Sequence, residues 1–343
     1  MELKLLKRFL DSQGIFEIKV PFDWKYTFHD ESIHTFDGSE ILGDTSFQIS
    51  MCKVSSEEEK IELARLLGYL PQTLIGDYDL RSQDDELHET EEGYYVTKTW
   101  NTIIGDDVLF FTFTYETVPD KKMYKKLEDE KLPVIYDIIA TFKILPEEFR
   151  DRLLNSYRFE MFLQGIGATN VILKRAFENK AFIEATCILS NQIDSLLRIA
   201  IVLQVQIINN NDAIEKVWIY QGKTDKKKSE KDVYKKAKEL NITNGELYNE
   251  LFILYEDRNR VIHRFIISEI TMAEVEDISH KYYNIRERMK VIVDNLESEQ
   301  IRLRVGMTTE GENDPGNKSH HMLATLAKIG SLDYFMGENP KGI

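Results

Sequence analysis

Cysteine is nearly absent. Cys52 and Cys187 are the only two in 343 residues, far apart and outside any CxxC pattern. A disulfide framework and a cysteine zinc site are therefore excluded. Proline (7) and glycine (17) are scarce as well, which argues against a fibrous or largely disordered chain. Long apolar runs are also missing. The longest stretch, Leu196 to Ile208, is interrupted by Arg198, Gln204 and Gln206, so it reads as a buried helix and not a membrane span. The opening MELKLLKRFL mixes charges into its apolar pattern and lacks a small-residue cleavage site, so no signal peptide is expected. Neither a GxxxxGKS/T loop nor a GxGxxG turn occurs, so nothing marks a nucleotide phosphate site. The expectation is a cytoplasmic protein without a membrane partner, cofactor or bound metal.

Acid is what the chain has in excess, and it is unevenly spread. Residues 1–150 hold 17 Lys and Arg against 31 Asp and Glu, a balance of −14, whereas residues 151–343 hold 27 against 28. An acidic average disfavours nucleic-acid binding. Here it does so only for the front half.

The pattern changes character at the same place. Runs 15–20, 45–54, 93–100 and 108–116 are dense in β-branched and aromatic residues. Phe47, Ile49 and Met51 alternate with Ser46, Gln48 and Ser50, which predicts a sheet with one wet face. Ser55-Ser56-Glu57-Glu58-Glu59 opens a capped amphipathic helix, a second short helix is expected over 121–130, and a strand over 134–145. The pattern is loosely similar to PsbP-like α/β sandwiches, and nothing is carried over from it. Beyond Pro146 the chain reads helical: 146–162, a long region over 168–208, a helix from 245 to about 265, and another from 272 to about 304. Segment 223–238 contains eight lysines, and 306–319 has a disorder-like composition followed by a docking-helix pattern at 321–336. The expected layout is an α+β domain over 1–145 (an antiparallel sheet with a few helices), an all-α helical bundle over 146–305, and a flexible tail over 306–343.

One constellation carries chemistry: Arg258-Asn259-Arg260-Val261-Ile262-His263, late in the 245–265 helix. Imidazole moves protons near neutral pH, and guanidinium grips phosphate with paired donors. Asn259 and His263 are four apart and share a helix face. Arg258 and His263 lie about 140° apart around an ideal helix, so they converge only if the helix distorts or a second copy completes the site. A cation near a helix C-terminus is also favoured by the helix dipole alone, which gives a structural reading of the same residues.

Arg258-Asn259 followed by His263, in a late helix of an all-α region, resembles the signature of the HEPN ribonucleases. The upstream IEATCILSNQIDSLLRIAI, with Glu184, Gln192, Asp194 and Arg198, fits the long helix that such domains pack against it. The resemblance covers roughly 150–304. It implies a homodimeric bundle with a composite site between two signature helices, and metal-independent RNA cleavage by 2′-hydroxyl attack. His263 would then be general acid or base, Arg258 would stabilise the phosphorane, and Asn259 would orient the phosphate or His263. Arg260 and Arg264, with Lys226, Lys227 and Lys228 of the lysine-rich segment, are candidate RNA-backbone contacts, and Trp218, Tyr220 and Tyr234 candidate stacking residues, of which Trp218 reads more simply as core. A protein or phage-derived trigger is expected at the front domain, whose acidity would shield the basic site. The alternatives are a catalytically silent dimerisation and binding module, and an accessory subunit beside a nucleotidyltransferase.

His29 and His34, beside Asp30 and Glu31, allow a metal site, although a satisfied or exposed histidine is the simpler reading.

Overall fold

A computed structural model of the chain describes residues 6–308, apart from 22, 30–32, 39–44, 84, 92 and 223–224 and the side chains of 28, 29 and 121–124. The chain divides into two compact units after Arg150. The expected tail and its docking helix lie outside the described residues beyond 308.

The front unit is built on two antiparallel sheets. Strands β1 (Leu6–Leu10), β2 (Phe16–Pro21), β3 (Lys25–His29), β4 (Ile33–Gly38) and β5 (Thr45–Lys53) precede helix α1 (Glu57–Leu67). Then come β6 (Gln72–Ile75), β7 (Tyr78–Ser82), β8 (Glu86–Thr90), β9 (Gly93–Ile104), β10 (Asp107–Thr117), helix α2 (Lys121–Ile139) and β11 (Lys143–Ile144). The larger sheet runs β3-β4-β5-β10-β9-β7-β6, with β8 also paired to β9; the smaller is β1-β2-β11. The predicted alternation holds in β5, where Phe47 and Ile49 are fully buried and Ser46, Gln48 and Ser50 are not. Ser56 caps α1 as expected, its hydroxyl accepting from the Glu59 amide at 3.2 Å. Gly38 is required by close approach: a Cβ there would lie 2.2 Å from Nε1 of the buried Trp24.

The strand expected over 134–145 is a correction. Helix α2 runs through it, Pro133 included, and only Lys143–Ile144 is extended. Its β-branched composition suggests a strand, but Ile135, Ile138, Ile139 and Phe142 recur at helical spacing and all are buried. Burying that stripe against the sheet outweighs the propensity of the single residues and the one backbone bond lost at Pro133. The ring of Phe142 lies 5.2 Å from Phe16 and 5.1 Å from Phe111, closing the core.

The second unit is helical: α3 (Arg150–Glu178, its first residue counted with the front unit), α4 (Phe182–Asn209), α5 (Lys216–Ile219), α6 (Glu230–Glu239), α7 (Gly245–His263) and α8 (Met272–Leu303). The single helical region expected over 168–208 is two helices, broken where Lys180 takes a left-handed φ of 55°. The turn at 209–212 is where the sequence places it, with Asn210 left-handed. Helix α4 is the core of this unit. It is long and apolar enough, by length and composition, to cross a membrane, yet 78% of its most apolar window is buried by its neighbours. Its apolar side chains are thus covered by protein. Gln300 of α8 is fully buried against it and donates to the Leu203 carbonyl (3.1 Å) and Gln206 Oε1 (2.9 Å), so that the polar group sits in the core with partners.

The layout is therefore an antiparallel α+β unit followed by a mostly helical one, as the sequence predicts.

Candidate functional site

Helix α7 starts at Asn244, whose side chain accepts from the Leu247 amide at 2.8 Å. Leu247, Leu251, Leu254 and Val261 are its buried residues, and their spacing fixes which way the helix is rotated. The helix remains continuous to His263, so the distortion that would bring Arg258 and His263 together within one chain is not there.

That rotation turns Arg258 inward. Its side chain is only 17% exposed and donates to Glu230 Oε2 at 2.5 Å and, from Nη2, to Asn259 Oδ1 at 3.2 Å. The guanidinium also stands 4.8 Å above the Tyr255 ring. Glu230 is the first residue of α6, placed there by a reciprocal capping box between Ser229 and Asp232. Its other oxygen accepts from the Tyr234 hydroxyl, and the Tyr282 hydroxyl of α8 donates to the Leu254 carbonyl at 2.6 Å. Asp194 and Arg198 of α4 pair alongside, Nε to Oδ2 at 2.6 Å.

Burial pushes the Glu230 carboxyl above its ordinary range, with Tyr234 and Arg258 pulling it partly back. Burial opposes the Arg258 charge, and Glu230 more than offsets this, holding the guanidinium protonated. The Tyr234 and Tyr282 hydroxyls are pushed far upward, chiefly by burial. Two buried atoms of this cluster have no partner among the described residues: Arg258 Nε and Asp194 Oδ1. Arg258 thus uses only part of its five-donor fork.

Asn259, expected to orient the phosphate or His263, accepts from Arg258 Nη2 through its Oδ1. His263 is exposed at the last turn of α7 and has no side-chain partner among the described residues. Arg264 is exposed just past it, and Arg260 is exposed with loose ion pairs to Asp257 (3.6 Å) and Glu274 (4.0 Å). Immediately after, Ile266 is 95% and Ile267 83% exposed, an apolar pair left uncovered among the described residues.

Lys226 and Lys227 are exposed, and Lys228 Nζ lies 5.7 Å above the Trp218 ring. Of the three candidate stacking residues only Tyr220 is exposed; Trp218 is core, as its simpler reading has it, and Tyr234 is core and is withdrawn from that role. In the front unit His34 is buried, with Nδ1 3.0 Å from the Tyr26 hydroxyl and Nε2 3.6 Å from Asp11 Oδ1. It is a satisfied histidine, at the wall of a cavity of about 880 Å³ that Asp11, Lys53, Lys60 and Arg150 also line. Among the described residues no group of three or more His, Cys, Asp or Glu is arranged to hold a metal ion.

Sequence reasoning missed Glu230. It lies 28 positions from Arg258, inside a lysine-rich stretch that reads as solvated, and only the packing of α6 against α7 brings the two together.

No protein-family model matches the chain, and no curated protein does. Among solved structures it is similar to a Bacteroides thetaiotaomicron protein, at 18% identity over 53% of this chain and 68% of the other, with a TM-score of 0.32. It is also similar to cyanobacterial PsbP from Synechocystis, at 13% identity over 41% of this chain and 92% of the other, with a TM-score of 0.21. Both likenesses are too slight to bear on the site.

Proposed function

We propose that the chain is a metal-independent endoribonuclease of the toxin or antiviral-defence type, cytoplasmic and active as a homodimer through its helical unit. The observation that carries this reading is the state of the Arg-Asn-x-x-x-His resemblance: all three residues sit on one unbroken helix, ending in an exposed, unpartnered imidazole. In the reaction the ribose 2′-hydroxyl attacks the adjoining phosphorus and the 5′-oxygen leaves, giving a cyclic phosphate end. His263 removes the hydroxyl proton or protonates the leaving oxygen. Arg258 neutralises the charge that builds on the phosphorane with the donors that Glu230 and Asn259 leave unused.

Arg258 and His263 face about 140° apart on a straight helix, so each site would draw them from two chains. The exposed Ile266 and Ile267 beside His263 support a second copy covering this end of α7. The front unit would hold the trigger site, with its cleft as the place for a protein or phage-derived signal, and its acidity would discourage premature RNA binding.

The alternative is a catalytically silent dimerisation and binding module. The Arg258–Glu230 pair favours it, because a guanidinium committed to a buried carboxylate also serves as a purely structural contact.

Incubating total RNA and tRNA in EDTA with the wild type, His263→Ala and Arg258→Ala separates the two. The nuclease reading requires cleavage by the wild type alone, with cyclic-phosphate ends. Equal cleavage by all three removes His263 from the mechanism. Silence of the wild type, repeated with residues 1–145 deleted, favours the binding module.

A further inference from the structure

A single buried guanidinium pins the segment that carries Tyr220 and the lysines. Arg198 of α4, almost fully buried, donates to the carbonyl of Trp218 at 3.2 Å and to that of Lys228 at 3.4 Å. The two ends of this excursion from the helical core are thereby fixed to one side chain. Gln221 adds a bond to the same Lys228 carbonyl at 3.4 Å. Between these anchors Trp218 and Ile219 turn inward, and Tyr220, 46% exposed, turns out.

The exposed ring is flanked by cations. The Arg158 guanidinium from α3 lies 4.8 Å from its centroid and Lys216 Nζ 5.4 Å. Lys216 pairs with Asp225 at 3.0 Å. Arg158 donates to the neutral Asn155 Oδ1 (3.1 Å) and also acts on the Asp225 charge, Lys228 acts on Asp232, and Lys226 and Lys227 are exposed with no ion pair among the described residues. An exposed aromatic ring flanked by cations, on a segment that also carries Lys226, Lys227 and Lys228, is the combination that binds unpaired nucleic acid: flat groups for bases and positive charge for the backbone.

We infer that Tyr220, Arg158 and Lys226 to Lys228 form a binding platform for single-stranded RNA, with a base stacked on the Tyr220–Arg158 pair and phosphates on the lysines. This rests on the RNA-substrate reading above and names the substrate class within it. Duplex RNA does not fit, since its bases are already stacked on each other and offer no free face.

The test is fluorescence anisotropy on the full chain with an unstructured 2′-O-methyl RNA of about 12 nucleotides, which cannot be cleaved by 2′-hydroxyl attack, and a hairpin of equal length. The wild type is expected to prefer the unstructured strand, with affinity falling as salt rises. Tyr220→Ala should weaken binding about tenfold and Tyr220→Trp restore it. Arg158→Ala should lower the log–log salt slope by about 0.7. The triple Lys226, Lys227 and Lys228→Ala variant should lower it by about 2.

Binding that is unaffected by Tyr220→Ala and Arg158→Ala, a hairpin preference, or no binding at low salt overturns the platform. The cleavage assay is scored separately. Binding through Tyr220 without cleavage keeps the platform and removes the nuclease, whereas cleavage with wild-type affinity in Tyr220→Ala does the reverse.

Discussion

Each unit buries a cation among carboxylates, and the two arrangements differ. In the front unit Lys98 of β9 sits between Asp85, 3.1 Å away, and Glu128 of α2. Its charge is met from two sides, and that holds its pKa up against burial. In the helical unit Arg258 meets one carboxylate among the described residues, and among them Arg258 Nε and Asp194 Oδ1 remain buried without partners. Unpaired buried polar atoms cost stability and are retained where something else uses them. The first cluster reads as structural and closed. The second is under-satisfied, as a site awaiting another group would be.

The sharpest way to break that contrast is to remove each cation. Arg258→Ala leaves Glu230 buried with only Tyr234 as partner, and should lower stability by about 3 kcal/mol in urea titration. A loss under about 1 kcal/mol would mean that the pair contributes little and that Glu230 hydrates easily. Lys98→Ala should cost less, about 2 kcal/mol by the same measurement, because Asp85 and Glu128 are partly exposed and can take water. An equal or larger loss at Lys98 would reverse the ranking.

A pH series sharpens the comparison further. Glu230's folded pKa is raised, so the folded state binds its proton more tightly than the unfolded chain does. Stability from this group is present below the ordinary glutamate range and is lost as pH rises from there through the folded value. Wild type should therefore lose stability relative to Glu230→Gln as pH rises above about 4.5. Parallel curves would show that Glu230 titrates normally. The smallest effect is expected at Arg260→Ala, within about 0.5 kcal/mol in thermal denaturation, since its pairs are long and exposed. A larger loss would place Arg260 in the structural network and not on the surface.

Much of this architecture is legible in the sequence because its signals are local. Ser56, Asn244 and the Thr271–Glu274 box announce helix starts through short-range hydrogen bonds, and Phe47 and Ile49 declare their face by period-two alternation. Arg258, Asn259 and His263 stand out by type and spacing alone. Helix α2 was misread because Ile135, Ile138 and Ile139 are strand formers one by one, and only the sheet that they cover makes them a helical stripe. Strands β1, β3, β6, β7 and β8 are short and mixed in polarity, so neither composition nor alternation marks them, although β1, β3, β6 and β8 each pair with the next strand along the chain.

What the sequence by itself determined is the two-unit layout, the division of charge, and the chemical types at positions 258, 259 and 263, all of them properties of composition and local period. Only the tertiary structure decided that Arg258 faces Glu230 while His263 faces solvent, and that Arg198 pins the loop bearing Tyr220. Those outcomes depend on which side of each helix finds apolar cover. That is settled by the packing of α4, α6, α7 and α8 together, and no window of sequence contains all four.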